Sequence, residues 1–394
     1  LDCLSPVAAS ERSRFLDILR GIALLGILPA NIPFFGLPLW DASEGAEPAE
    51  GGSWVAWHAT RFLVDYKFIT IFSLLFGCGM AVIASRAFAV GRPFRALLAR
   101  RLGVLALIGI AHGTLIWYGD IVAYYGLLGL TVFWFAAARS RWTAIIGALL
   151  VLVPVPFLGA WAVLTQIVPE LSGEDDYDWQ PWTAEEEARV YSEGTFAEML
   201  RMRVLSWLFG WVFFGFMFSW RIVGLMLLGM AMVNAGWFLR PADHRRAFAR
   251  LAGWGLALGI PVQAAANFLA EMEGPSFEAL AELAQYLGSL GMAAGYIGVV
   301  GLVVARFGAS RLWSPFEAVG RTAFSNYLLQ SALCTGLFYA WGLGLFGALN
   351  RVQLLLVVAG VWALQLAVSS VWVRAFRFGP VEWLWRWATY GQRP

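Results

Sequence analysis

Charge is what this chain has least of. Asp, Glu, Lys and Arg make up 14% of its 394 residues, where soluble globular proteins carry about 25%. Ionic side chains are too few to cover a water-facing surface, so a freely soluble fold is excluded and lipid must cover much of the outside. Lysine is nearly missing: Lys67 is the single one, and almost every positive charge is an arginine. A net charge of +2, with no basic domain, excludes nucleic acid as a partner. The three cysteines, Cys3, Cys78 and Cys334, are odd in number and far apart. They form neither a disulfide framework nor a zinc spacing, and no metal is expected. No cleaved secretory signal is visible, because the first apolar block is too long and no small-residue cleavage site follows it. The chain begins at Leu1 rather than Met, so the natural start is expected upstream. No internal repeat is apparent, which disfavours transporter folds built on inverted repeats.

What is abundant is apolar length. Hydrophobic residues make up 60% of the chain and the mean hydropathy is +0.67. A bilayer core takes about 20 apolar residues per helix. Ten stretches qualify: 15–38, 60–85, 97–118, 120–138, 143–168, 219–239, 247–270, 282–306, 319–341 and 353–375. The block from Met202 to Phe238 is too long for one crossing, so 202–217 reads as an interfacial or re-entrant helix. Pro154 and Pro156 are expected to kink or shorten the fifth span. The fold class is therefore all-α and polytopic, with about ten transmembrane helices. The chain divides into an N-terminal membrane half (1–168), an acidic external loop with an amphipathic helix (169–203) and a C-terminal membrane half (204–394).

The charges orient these spans. One set of ends carries Arg12 and Arg14; Arg86, Arg92, Arg95, Arg100 and Arg101; Arg139 and Arg141; Arg240, Arg245, Arg246 and Arg250; Arg306 and Arg311; Arg374, Arg377, Arg386 and Arg393. The alternate ends carry Asp41, Glu44, Glu47 and Glu50, the stretch Glu170 to Asp178, Glu185 to Glu187, and Glu271, Glu273 and Glu278. Arginine excess marks the cytoplasmic side. Ten crossings with both termini cytoplasmic satisfy every loop, as in a multi-pass protein of a bacterial inner membrane. The external loop, with Trp179, Pro181 and Trp182, is a solvated cap or a lid over an outward site. The final stretch 379–387 reads as a Trp-rich helix in the inner interface, where Glu382 and Arg386 are spaced to pair.

Polar residues within the apolar blocks locate the candidate site, because a charge in hydrocarbon costs about 2.5 kcal/mol or more. On the first span Asp17, Arg20 and Asn31 fall within roughly 60° of one another at helical spacing. Asp17 also suits a helix dipole, and Arg20 also suits inner headgroups. Asp65 and Lys67 enter the second span pointing to different sides. His58 sits at the outer end of that span and reads as interfacial. His112 ends the third span and Asp120 opens the fourth across a short turn at Gly119, so the two come within reach of each other. A carboxylate beside an imidazole is the arrangement of a general base, and also of a satisfied structural histidine. On the ninth span Thr322, Asn326 and Gln330 recur every four residues, close to Arg321; Gln263 and Asn267 repeat that spacing on the seventh. Interhelical hydrogen bonding accounts for such stripes as well as a ligand does.

Several stretches together resemble the YeiB family of bacterial membrane proteins, whose C-terminal part is a domain of unknown function. These are Leu16-Asp17-Ile18-Leu19-Arg20-Gly21 with Asn31, Phe72-Ser73-Leu74-Leu75-Phe76-Gly77, His112 with Gly119-Asp120-Ile121, Gly320-Arg321-Thr322-Ala323-Phe324-Ser325-Asn326-Tyr327, and Gly379-Pro380-Val381-Glu382-Trp383. The opening Leu-Asp-x-x-Arg-Gly is also similar to that of membrane acyltransferases of the heparan glucosaminide acetyltransferase and sugar O-acyltransferase type. That second resemblance implies a cytoplasmic acyl-CoA, with no tightly bound cofactor, and an acceptor hydroxyl or amine on a small molecule or glycan at the outer face. The O-acyltransferases end their first span with a histidine, whereas this chain has Asn31 there. His112 oriented by Asp120 is then the expected base, with His58 the second choice, and Asn31 the oxyanion donor. Asp17, Arg20, Arg321, Asn326 and Gln330 are the expected donor-binding set, all converging on one wet chamber. A transporter or exporter of a small polar or lipidic molecule, or a non-catalytic membrane scaffold, uses the same polar faces without chemistry.

Overall fold

The computed structural model describes residues 13–43, 51–91, 93–168, 182–213, 215–308 and 310–393. Cys3, Arg12, Glu44, Glu47, Glu50, Arg92 and the acidic stretch 170–178 with Trp179 and Pro181 lie outside them. The described residues form helices and no strand. In chain order the helices are α1 (Arg14–Gly36), α2 (Leu39–Ser43), α3 (Gly52–Leu63), α4 (Lys67–Ala89), α5 (Arg95–Leu115), α6 (Val122–Val132), α7 (Ser140–Leu152), α8 (Pro154–Ile167), α9 (Ala184–Glu193), α10 (Phe196–Phe213) and α11 (Gly215–Asn234). They continue with α12 (Arg245–Leu269), α13 (Pro275–Phe307), α14 (Ser314–Arg321), α15 (Ala323–Phe338), α16 (Arg351–Ala375) and α17 (Pro380–Tyr390).

Seven segments among the described residues are long and apolar enough to cross a membrane: α1, α3–α4, α5, α7–α8, most of α11, α13 and α16. The chain is a multi-pass membrane protein. The other three expected spans have physical reasons for falling short. The helix at 122–137 is brief and tightens into a 3₁₀ turn over Phe133–Ala137. α12 holds Pro261, Gln263 and Asn267 within its apolar part. The stretch 314–338 is split at Thr322 into α14 and α15.

α1 is the hub, packed by α4, α14, α15 and α16. Pro29 inside it lacks an N–H, which frees the carbonyl of Leu25. The indole of Trp362 on α16 donates to that carbonyl at 2.9 Å. Glycine permits the closest crossing: a Cβ on Gly21 would overlap the Phe316 carbonyl, and one on Gly320 the Asp17 carbonyl. Two stretches of the YeiB-like pattern, around Asp17 and around Arg321, thus meet backbone to backbone. α12 and α13 run antiparallel along a seam where Gly255 and Gly259 face Gly295, Gly291 and Met292. Small residues let backbones approach closely in lipid, where packing rather than hydrophobicity drives association.

α17 docks through Glu382. Its carboxylate accepts the backbone N–H groups of Phe324 at 2.7 Å and Ser325 at 3.1 Å, and also the Ser325 hydroxyl. These are free N–H groups of the first turn of α15. The role expected from sequence, a pairing partner for Arg386, did not include this cap.

Candidate functional site

A cavity of about 400 Å³ lies among α1, α3–α4, the α5–α6 turn, α10, α13 and α16. Its polar lining includes Asn31, Arg61, Asp65, Asp120, Glu282, Gln285 and Arg351; its aromatic lining includes Trp57, Tyr66, Trp117, Tyr118, Tyr124 and Trp207.

The α5–α6 hairpin builds one wall. Gly109 abuts Ala123 and Gly126 abuts Ala106, so the two backbones touch and the turn between them is tight. This brings His112 Nδ1 to 2.8 Å from Asp120 Oδ1. The other carboxylate oxygen accepts the Ala123 N–H at 2.7 Å. Both side chains are buried, 3% exposed each. An Asp held on Nδ1 places the proton there and leaves Nε2 as the basic nitrogen. That Nε2 is buried and makes no hydrogen bond among the described residues. His112 adjoins the cavity through Asp120, since it is not itself in the lining. The Tyr327 ring lies 5.4 Å from the imidazole, and its hydroxyl accepts the Ile121 N–H at 3.3 Å.

Asn31 lines the same cavity from α1, and its amide has no hydrogen-bond partner among the described residues. The outer end of α1 is fixed against the hairpin: the Trp117 indole and the Tyr118 hydroxyl both donate to the Phe34 carbonyl, at 3.3 and 3.0 Å. Asp65 lines the cavity where α3 gives way to α4, and Lys67 follows two residues later, fully buried.

The remaining expected residues are placed elsewhere. Asp17 and Arg20 pair with each other at 2.9 Å and do not line the cavity. Arg321 ends α14, with its Nε buried and unbonded among the described residues. Asn326 donates to Thr322 Oγ1 and to Ser369 Oγ, both at 2.8 Å, and Gln330 donates to Gln365 at 3.0 Å. These amides join α15 to α16. The structure brings Asn31, Asp65 and Asp120 to one cavity, with His112 behind Asp120. Arg20, Arg321, Asn326 and Gln330 do not share it.

Sequence reasoning missed Arg61, Glu282 and Arg351 in the lining. Arg61 donates to Glu282 at 3.1 Å across from α3 to α13, and Arg351 donates to the Asp41 carbonyl at 2.7 Å. The available signal was the spacing of Arg61 four residues before Asp65 inside an apolar block. Ser206 and Trp207 also line the cavity, so α10 is part of its wall.

Helix α9 packs on α2 and α10 beside this end. Glu187 on α9 is fully buried and accepts the Leu39 N–H at 2.9 Å and the Trp182 indole at 3.1 Å. Burial pushes its carboxyl up to about 7, with the nearby Asp41 acting in the same direction. Tyr191 stacks on Tyr339 at 4.5 Å.

Residues 232–392 match the family described as "Protein of unknown function (DUF418)". The chain is 33% identical to the uncharacterized protein YeiB of Escherichia coli (strain K12), over 96% of each chain. It is 32% identical to the uncharacterized protein YxaH of Bacillus subtilis (strain 168), over 99% of this chain and 97% of that one. No solved structure matches.

Proposed function

Because the chain belongs to the YeiB-like DUF418 family, whose members named above carry no stated reaction, we propose a function from its cavity: transfer of an acyl group to an acceptor hydroxyl or amine, inside a bacterial inner membrane. The observation that carries this reading is the buried His112–Asp120 pair, its Nε2 without a partner among the described residues, set behind a cavity lined by Asp120 and Asn31. Nε2 takes the proton of the acceptor O–H or N–H as that oxygen or nitrogen bonds to the acyl carbon. Asn31 donates to the oxyanion. The carbon–sulfur bond of a thioester donor then breaks, and the thiolate leaves with the proton. Arg20 matches phosphate geometry and keeps the donor-binding role at the inner end of α1. Asn326 and Gln330 lose that role, since their amides are engaged between α15 and α16. The topology that serves this reading has ten crossings, the seven long helices plus α6, α12 and α15, with both termini cytoplasmic.

The test is thiol release from acyl-CoA by the purified protein in nanodiscs. Release is expected from wild type, falling by about 10²-fold or more in His112→Ala. Equal rates in both, or no release with any acyl chain length, overturn the reading. One feature favours a transporter instead: the helix broken between α3 and α4 at the cavity, as discontinuous helices are at transport sites. Uptake into proteoliposomes without a covalent product would establish it.

A further inference from the structure

Three exceptions of this chain occupy consecutive positions in the α3–α4 break. Asp65 is a cavity-lining carboxylate with no hydrogen-bond partner for its side chain among the described residues. Tyr66 is the one non-glycine residue among them with a left-handed backbone, at φ 64°. Lys67 is the only lysine of the chain, and it is 0% exposed. Backbone strain of this kind persists only where the surroundings hold it, and it gathers at functional sites.

The surroundings are polar and shared among helices. The end of α3 frees the Arg61 carbonyl, which accepts from Lys67 Nζ at 2.6 Å, Gln285 Nε2 at 3.2 Å and Gln263 Nε2 at 3.3 Å. The Leu63 carbonyl accepts the Tyr296 hydroxyl at 3.0 Å. Arg221 from α11 donates to Thr70 Oγ1 at 2.6 Å and Ser289 Oγ at 2.8 Å beside the Tyr66 carbonyl. The charges acting on Lys67 are Asp65 on its own segment, Arg61 on α3 and Arg221 on α11. Around Asp65 stand Lys67, Arg61, Glu282 on α13 and Arg351 on α16. α12 presents the neutral Gln263 here. Lys67 makes no ion pair among the described residues; its ammonium rests on one carbonyl, with two guanidinium groups repelling it and one carboxylate attracting it.

Arginine keeps its proton in any protein site, whereas a buried lysine gives its proton up readily. Every other long cationic side chain of this protein is an arginine. A permanent charge at position 67 would be supplied by arginine as well. We infer that Lys67, buried behind the cavity-lining Asp65, is a proton-exchange site, passing its proton to Asp65 and back. In that step an N–H bond of Nζ breaks and an O–H bond forms on the Asp65 carboxylate, leaving a neutral amine and a neutral acid. The two groups stand beyond ion-pair distance, so water carries the proton between them. The cavity then presents either a carboxylate, which accepts from a ligand hydroxyl or amine, or a carboxylic acid, which donates. This inference does not rest on acyl transfer, and either stands if the other fails.

A single lysine makes the test direct. Protein labelled with ¹³C at lysine Cε, carrying a lysine-free tag, gives one resonance in nanodiscs, so the wild-type titration can be read without a variant. The signal should pass from its protonated to its neutral form as the pH is raised from about 5 to about 10. In Asp65→Asn the midpoint should fall by about 1 unit, because an attracting charge is gone. A resonance that stays in its protonated form to about pH 10 overturns the inference. So does one that is already neutral at pH ~5, or a midpoint that Asp65→Asn does not move.

Discussion

Asp120 divides one carboxylate between two helices, accepting from His112 on α5 and from the first turn of α6. Asp120→Asn keeps the volume but turns one acceptor oxygen into a donor nitrogen. Either the His112 Nδ1–H or the Ala123 N–H is then left unpaired in a buried place, which costs about 1–3 kcal/mol. The melting temperature in detergent should drop, and the imidazole should lose its fixed tautomer. An unchanged melting temperature would mean that this pair does not hold the hairpin. At this scale the sequence was informative where a polar residue stood alone among apolar ones. Asn31, Asp65 and Asp120 were each visible in that way. Glu282 and Arg351 were not, because they stand at the edges of apolar blocks, where charges are ordinary, and Arg61 was readable only through its spacing from Asp65. Helical spacing placed Asn326 and Gln330 on one stripe correctly, but spacing gives an angle and not the neighbour at that angle. The neighbour proved to be α16, with Ser369 and Gln365 ready to accept.

Helix α9 illustrates how one element depends on one titrating group. Glu187 has its carboxyl raised by burial from the ordinary 4.5 to about 7. A raised acid binds its proton more tightly folded than unfolded. Its docking is therefore most favourable below about 4.5, weakens as pH rises through that window and is weakest above about 7. The protection factors of residues 184–193, exchange rates corrected for the intrinsic pH dependence of amide exchange, should be higher at pH 5.5 than at pH 8. Glu187→Gln should flatten that dependence; a dependence persisting in the variant would assign it to another group. The α12–α13 seam carries a steric prediction. A leucine at Gly255 or Gly291 has backbone in its way, and overpacking of this kind costs about 1–3 kcal/mol. Gly253, whose Cβ would meet open space, is the control: Gly253→Leu should leave the melting temperature unchanged where Gly255→Leu lowers it. Apolar length located most helix boundaries to within a few residues, because the bilayer dictates that length. It missed the breaks at 64–66 and at Thr322. Backbone strain and side chains on distant helices hold those breaks, and hydropathy records neither.

At the scale of the whole molecule, crossing number decides where the ends lie. Ten crossings put both termini on one side of the membrane, while seven would put them on opposite sides. Reporters fused to each end, one active only outside the cytoplasm and one only within it, should place both ends in the cytoplasm. Opposite locations would remove α6, α12 or α15, or all three, from the set of crossings. The cavity adds a constraint of another kind. Asn31, Asp65 and Asp120 come from outside the segment 232–392, while Glu282, Gln285 and Arg351 come from inside it. A gene shortened to either portion would therefore encode half a binding surface. Separately translated portions, co-expressed, should be recovered as one complex, and neither should bind a ligand alone. Among natural relatives, fission of this gene is then tolerable only when both products are made together.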